Sequence, residues 1–277
     1  LYDGSDRTFF LVSWDAMRER KGESRRGRVP TALERQGDFS ETVDVSGNLI
    51  PLKDPLASGS CKALNGQACF PGNRIPASRI HPVATAMLSY YPEENMPGAA
   101  MNYYATDTAT GDIDKWLFKI DHRFKPYDVI SGRYLHHASD PYKPFRGSNL
   151  PNFGIWSTNR YSMASINYTR TFSTTLVNEA RLSFTRSREA ETKTRYSTRD
   201  FGGELGITPP TDNPILFGFP SFGITGIETF GDTKEFPKRN VVNNWQVADT
   251  ATWVKGRHLI KAGFDVIRMQ YFEPWNR

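Results

Sequence analysis

Cysteine and histidine carry the most reactive side chains in this sequence, and their spacing limits the chemistry they can do. Cys61 and Cys69 lie close together in a stretch rich in turn-forming residues, with no Cys-x-x-Cys pair and no histidine nearby. This pattern predicts a local disulfide formed in an oxidising compartment, with two unpaired thiols as the alternative. His136 and His137 are adjacent, so in a strand they point to opposite faces and cannot chelate one ion together. We therefore expect no metal site and no cofactor.

Aromatic side chains are the second group that could do chemistry, because they make up 13% of the residues. Rings on loops that a rigid scaffold holds in place can stack on sugars or on peptide side chains without a charged partner. The candidates for ligand binding of this kind are Phe153, Trp156, Phe217, Phe219 and Phe222. The alternative is that these rings pack against each other and against the scaffold.

No group of residues suggests catalysis. The sequence has no Gly-x-Ser-x-Gly element and no recognisable pair of catalytic carboxylates, so we expect no enzymatic activity. The net charge is +5, and the 30 acidic residues are scattered among the 35 basic ones. Nucleic-acid binding is therefore not expected either.

The elements that must position these residues follow from hydrophobic periodicity. Between residues 115 and 124 the even-numbered positions are mostly apolar, whereas lysine, aspartate and arginine fill most of the odd-numbered positions. An alternation with period two is typical of a β-strand whose two faces meet different environments. Similar patterns predict seven strands, at residues 8–18, 115–124, 129–137, 162–172, 174–187, 244–254 and 258–272.

The connections between these strands alternate in length. Tight turns at residues 125–128, at Ser173 and at residues 255–257 force antiparallel hairpins. Three long loops separate the hairpins, at residues 21–113, 141–161 and 191–243. Within the first loop, the spacing of apolar residues between 81 and 91 predicts a short helix that packs the loop onto itself.

All the long loops would lie at one end of the strands, which a compact soluble domain has no reason to arrange. A transmembrane barrel has that reason, since its periplasmic turns are short, its extracellular loops are long and its strands are apolar outside and polar inside. The sequence thus predicts an all-β, antiparallel up-and-down transmembrane β-barrel. A soluble β-sandwich is the alternative, and it would have to bury or leave to solvent the face that carries Glu179, Arg181 and Lys261.

Two further expectations follow from the barrel. Seven strands are an odd number with two open edges, whereas single-chain bacterial barrels have an even number and no edge, so residues 1–277 are expected to form part of a larger barrel. The basic segment from Arg18 to Arg28 is predicted to contact anionic lipopolysaccharide, or else to be a solvated junction between a strand and a loop.

Several stretches spread over nearly the whole chain resemble one family. They are residues 2–10 (YDGSDRTFF), 29–40 (VPTALERQGDFS), 70–84 (FPGNRIPASRIHPVA), 88–92, 167–186, 205–226 and 252–265 (TWVKGRHLIKAGFD). Their order and spacing are similar to those of TonB-dependent outer-membrane receptors, specifically of the Oar-like barrel.

The resemblance implies a barrel of about 22 strands with a plugged lumen, in the outer membrane of a Gram-negative-type bacterium. In such a receptor an unidentified ligand, which is an oligosaccharide, a peptide or a chelate, binds the extracellular loops and the plug. The TonB complex then pulls on the plug, which this sequence lacks together with a signal peptide and a TonB box. The second interpretation of the sequence is a secreted all-β carbohydrate-binding or adhesive module.

Overall fold

The computed structural model describes residues 4–64, 66–192, 194–232 and 238–273. Antiparallel strands dominate it, and the helices are short. The strands are β1 (Thr8–Gly27), β2 (Tyr103–Lys125), β3 (Asp128–Lys143), β4 (Ile155–Ser173), β5 (Leu176–Thr192), β6 (Phe222–Ile224), β7 (Ile227–Phe230), β8 (Lys238–Lys255) and β9 (His258–Phe272). The α-helices are α1 (Pro82–Leu88) and α2 (Phe201–Glu204), and short 3₁₀ turns cover Glu34–Gln36, Pro71–Asn73, Ala77–Arg79 and Pro214–Leu216.

Seven of the strands form one sheet in the order β1-β2-β3-β4-β5-β8-β9, and every pair of neighbours is antiparallel. The remaining two strands, β6 and β7, form a separate hairpin. The predicted all-β, up-and-down arrangement is therefore confirmed. No helix in the described part of the chain is long and apolar enough to cross a membrane.

The strands extend further into the loops than the sequence pattern predicted. β1 continues to Gly27 and β2 already begins at Tyr103, so the first long loop covers residues 28–102 instead of 21–113. The other two long loops shorten to residues 144–154 and 193–237. Period two in hydrophobicity ends where the apolar band ends, but the backbone ladder between β1 and β2 continues beyond the band as far as the pair Gly27 and Tyr103. At the other end the turns are tight, and Gly256 supplies the positive φ of 59° that the turn before β9 requires.

One face of the sheet is apolar, and we call it the apolar face. The strand register aligns its side chains in rows, one of which consists of Val12, Phe118, Tyr134, Ala164, Phe184 and Trp245. Its large side chains are uncovered: Phe118 is 43% exposed, Leu182 46% and Phe264 56%. A β-sandwich would bury these side chains against a second sheet. In the described residues the only other sheet is the β6–β7 hairpin, so the soluble sandwich alternative is wrong.

The opposite face of the sheet, the polar face, carries charged and amide side chains that pair with one another. Lys115 lies 3.4 Å from Asp15, and the Arg181 guanidinium donates to Asn167 at 3.0 Å. The apolar face has one acid within its band, Asp249, which accepts a hydrogen bond of 2.8 Å from the Asn178 side chain. A local partner thus accommodates the residue that breaks the apolar pattern of β8.

Candidate ligand-binding groove in the loop cap

The three long loops fold onto one another at one end of the sheet and form a body that we call the loop cap, made of the described residues within 28–102, 144–154 and 193–232. The strand β7 joins them. The Tyr91 hydroxyl donates to the Glu228 carbonyl at 2.8 Å, and the Glu228 amide donates to the Arg28 carbonyl at 2.8 Å. The Ser148 hydroxyl donates to the neighbouring Thr229 carbonyl at 2.6 Å. Segments that are far apart in sequence therefore share one hydrogen-bonded joint.

An aromatic cluster forms the core of the loop cap. Phe219 lies at its centre, with ring centroids 4.6 Å from Tyr90, 5.7 Å from Phe153 and 5.5 Å from Phe230. Such contacts contribute about 0.5–1.5 kcal/mol per pair beyond the burial of their area. Burial also raises the pKa of the Tyr91 hydroxyl above its ordinary value, and the charge of Glu228 adds to the effect. Tyr91 therefore stays protonated and keeps donating its hydrogen bond at physiological pH.

Two charged side chains at the start of the first loop are structural. The Glu34 carboxylate is buried and accepts hydrogen bonds from Arg28, from the Thr42 hydroxyl and from the Thr31 amide. Arg35 donates to backbone carbonyls around the end of α1, at distances of 2.8 Å to Leu88, 3.3 Å to Tyr91 and 2.6 Å to Pro92. The Glu34 and Arg35 side chains therefore stabilise the first loop and are not available to bind a ligand.

An apolar groove runs along the loop cap beside this joint and encloses about 550 Å³. One wall comes from the first loop and includes Ile75, Ile80, Val83, Ala84, Met87 and Leu88. The other wall is the β6–β7 hairpin, with Phe222, Ile224, Ile227 and Phe230. The charged side chains that border the groove, Glu34 and Arg35, are engaged internally, and the Nδ1 atom of His81 accepts the Val83 amide at the start of α1. The groove therefore favours an apolar group.

The sequence of the chain matches one family model, described as the outer membrane beta barrel domain, over residues 4–276. The chain belongs to this family. No curated protein matches the chain, and no solved structure does.

Because the chain belongs to this family, the environment of each face and each end of the sheet can be assigned. The domain lies in the outer membrane of a Gram-negative-type bacterium, and its apolar face contacts lipid. The tight turns are periplasmic and the loop cap is extracellular. Paired rings such as Trp14 and Trp116, with centroids 5.6 Å apart, lie on the lipid-facing side.

The barrel domain distributes the five predicted ligand-binding rings over different environments. Phe153 and Phe219 are only 3% and 2% exposed, so they pack inside the cap core and present no face to a ligand. Phe222 is half-buried and lines the groove, and Phe217 is half-buried and does not line it. Trp156 is exposed and stacks on Tyr142 at 4.4 Å, at the extracellular end of β4. The structure thus brings only Phe222 of the five to the groove.

Sequence reasoning missed the wall formed by the first loop. The signal was present, because the helical spacing of Ala84 and Leu88 gives α1 an apolar face. That spacing also accounts for the helix prediction, which α1 confirms. The partner of this face, the β6–β7 hairpin, lies more than one hundred residues later in the sequence, and no local pattern connects the two.

The remaining predicted chemistry lies outside the groove. Cys61 and Cys69 are joined by a disulfide with a Cα–Cα distance of 5.1 Å. No three histidine, cysteine, aspartate or glutamate side chains come together as a metal site within the described residues. Near the disulfide loop, Arg79 donates two hydrogen bonds to Asp54, at 2.5 Å and 2.8 Å, and this contact lowers the pKa of Asp54 to about 2.

Proposed function

We propose that this barrel domain is part of a TonB-dependent outer-membrane receptor that captures a ligand at its loop cap and passes it through the barrel lumen. The observation that carries the proposal is the groove: the extracellular loops form a hydrogen-bonded body with an apolar cleft of about 550 Å³. Ligand sites are usually preformed clefts of roughly this size on a rigid scaffold. The sequence stretches similar to Oar-like receptors support the transport role.

The lining of the groove narrows the class of ligand. Its walls are aliphatic and aromatic, and the nearest charges, on Glu34 and Arg35, are occupied by internal hydrogen bonds. A bare oligosaccharide needs many free donors and acceptors, which such a cleft does not offer. Of the three ligand classes that the resemblance implies, a peptide with apolar side chains or a chelate with an apolar arm fits best.

The test is uptake by cells that make the full-length protein. The variant Ile224→Arg places a charge in the groove, and Leu56→Arg places the same charge on an exposed apolar residue of the loop cap outside it. Apolar peptides, ferric chelates and neutral oligosaccharides are supplied separately, and their loss from the medium is measured with and without a protonophore.

We expect one of the first two classes to be imported only by energised cells. Ile224→Arg should reduce this uptake by about tenfold, because burying a charge in an apolar cleft is costly, and Leu56→Arg should leave it unchanged. Uptake that persists with the protonophore, or in a strain lacking the gene, would contradict TonB-dependent transport. Uptake restricted to oligosaccharides would contradict the assignment of the groove.

A further inference from the structure

We propose that three arginines on the lipid-facing side of the sheet bind the phosphate groups of lipopolysaccharide in the outer leaflet. They are Arg186 and Arg188 on β5 and Arg239 on β8, and a fourth arginine, Arg160 on β4, lies beside them and is paired by the protein itself. The inference uses the outer-membrane location of the domain and does not depend on the transport function proposed above.

The strand register gathers these arginines in one patch, which we call the arginine patch. Arg160 is directly opposite Arg188, and Arg239 is opposite Ala190, two residues further along β5. Directly opposed residues have Cβ atoms about 4.5–5.5 Å apart, and diagonal neighbours are about 7–8 Å apart. Residues two apart in a strand share a face, so Arg186 and Arg188 lie on the same side as Phe184. All four guanidinium groups therefore start from one face of three adjacent strands.

The arginine patch lies at the extracellular border of the apolar band. Phe184 packs against Trp245 with ring centroids 4.3 Å apart, and Leu182 and Val247 follow below them on the same face. Arg186 and Arg188 are two and four residues beyond Phe184 towards the loop cap, about 7 and 13 Å along the strand. A lipid whose acyl chains cover Phe184 and Trp245 would place its headgroup at these arginines.

Only one of the four arginines in the patch has a carboxylate partner within the described residues. Asp140 accepts two hydrogen bonds from Arg160, at 2.7 Å and 2.8 Å. In the described part of the chain, neither Arg186 nor Arg188 nor Arg239 has a carboxylate in ion-pair contact. Glu189 is next in sequence but belongs to the opposite face, where its carboxylate accepts from Asn240. Directly opposed like charges destabilise a sheet, and Asp140 neutralises only the Arg160 member of the Arg160–Arg188 pair, so an external anion would stabilise Arg188.

The basic segment from Arg18 to Arg28, where lipopolysaccharide contact was predicted, is different. Arg18 pairs with Asp114 at 2.7 Å and Arg20 pairs with Asp112 at 2.6 Å, on the same lipid-facing side of the sheet. Their charges are locally neutralised. The structure therefore moves the expected lipid contact from β1 to the arginine patch, and it supplies a matched control at β1.

Arginine suits a phosphate because its planar fork donates two parallel hydrogen bonds to the phosphate oxygens. Each basic side chain near an anionic lipid surface adds attraction that falls off within a Debye length. The three arginines without a carboxylate partner among the residues described, above an apolar surface, fit a lipid that carries more than one phosphate on a sugar headgroup and several acyl chains. We therefore assign the arginine patch to the lipid A portion of lipopolysaccharide.

The experiment uses the full-length protein purified in detergent, with two probes: lipid A carrying both phosphates and lipid A from which they have been removed. Binding is measured by titration followed by native mass spectrometry. The variants are R186Q/R188Q, the charge-conserving R186K/R188K, and the control R18Q/R20Q. Circular dichroism checks that each variant retains its strand content.

The wild type should bind phosphorylated lipid A at least about tenfold more tightly than the dephosphorylated form. R186Q/R188Q should lose this preference, while R186K/R188K and R18Q/R20Q keep most of it. If R186Q/R188Q does not fold, the single variant R239Q should still reduce the preference by about threefold.

Three results would overturn the proposal. The first is equal binding of the two lipids by the wild type, and the second is an unchanged preference in R186Q/R188Q. The third is displacement of lipid A by millimolar inorganic phosphate, because this would show a general anion site and no lipid site.

Discussion

Most phenylalanine side chains of the seven-stranded sheet are exposed, whereas most of those in the loop cap are buried. Phe118 in the sheet points outward and is 43% exposed, whereas Phe219 in the cap is 2% exposed and enclosed by other rings. The difference lies in what covers each region, because lipid covers the sheet face and only neighbouring loops cover the rings of the cap. A phenylalanine therefore carries no information by itself about burial, and its surroundings decide what it stabilises.

The comparison also separates two kinds of stability within one chain. The sheet depends on an apolar solvent for one face and on backbone hydrogen bonds between strands. The cap depends on a packed aromatic core and on side-chain hydrogen bonds to the backbone, as a small water-soluble domain does. We expect mutations to affect the two regions by different mechanisms, and this can be tested in order of expected effect.

The largest difference is expected from removing one ring in each region. Phe219→Ala should leave a cavity in the cap core and destabilise the cap by about 3–5 kcal/mol. Hydrogen exchange of cap amides, followed by mass spectrometry, should accelerate by about 100-fold or more. Phe118→Ala opens no cavity within the protein because detergent or lipid fills the space, and cap exchange should not change. Equal acceleration of cap exchange by the two substitutions would contradict the proposed difference between the sheet and the cap.

The next effect concerns the two faces of one strand. Leu182→Arg places a charge on the lipid-facing side and should destabilise the sheet by about 2–3 kcal/mol. Ser183→Arg places the same charge one residue later on the polar face, where we expect a change of less than about 1 kcal/mol. Denaturant unfolding in lipid vesicles gives both values. A larger loss for Ser183→Arg than for Leu182→Arg would show that the faces are assigned the wrong way round.

The smallest expected effect is the response of the cap to acid. Hydrogen bonds from Arg79 and the Leu56 amide hold the pKa of Asp54 at about 2, below its ordinary value. A lowered folded-state pKa means that this contact stabilises the cap above about pH 4 and is lost as the pH falls through about 2. An NMR titration of the Asp54 carboxyl group should show this low midpoint, and Arg79→Gln should move it up towards the ordinary value. An unchanged midpoint in the variant would rule out Arg79 as the cause.

The sheet could be predicted from the sequence in most respects, because its pattern is local. In β2 the alternation of Trp116, Phe118 and Ile120 with Lys115 and Lys119 reports directly on two different environments. The extracellular ends of the strands could not be found in this way, since outside the lipid no apolar band marks one face of the sheet. At the start of β2, Tyr103 and Ala105 are buried in the cap core on the face opposite to that of Trp116 and Phe118, so the alternation of the lipid-facing band does not continue there, although the residues form the same backbone ladder.

The loop cap was predictable only in part. The short helix α1 has a local helical spacing and was predicted, but the core that it joins combines Tyr90, Phe153 and Phe219 from three separate loops. Nothing in the sequence on either side of Phe153 indicates whether its ring is buried or binds a ligand. For the same reason the groove was missed, since its two walls are far apart in sequence and meet through the hydrogen bonds of Glu228 to Arg28 and Tyr91 and through the contact between the Tyr91 and Phe230 rings, whose centroids are 4.3 Å apart.

The joint at Glu228 has a consequence for the order of assembly. Chain synthesis and export deliver Arg28 and Tyr91 first, and the hairpin that contains Glu228 arrives about two hundred residues after Arg28. Until then Tyr91 lacks Glu228 as the acceptor of its hydroxyl and Phe230 as the neighbour of its ring, and such long-range contacts form slowly. The joint that closes the loop cap can therefore form only after the chain of β2 to β5 has been made, shortly before β8 and β9 follow.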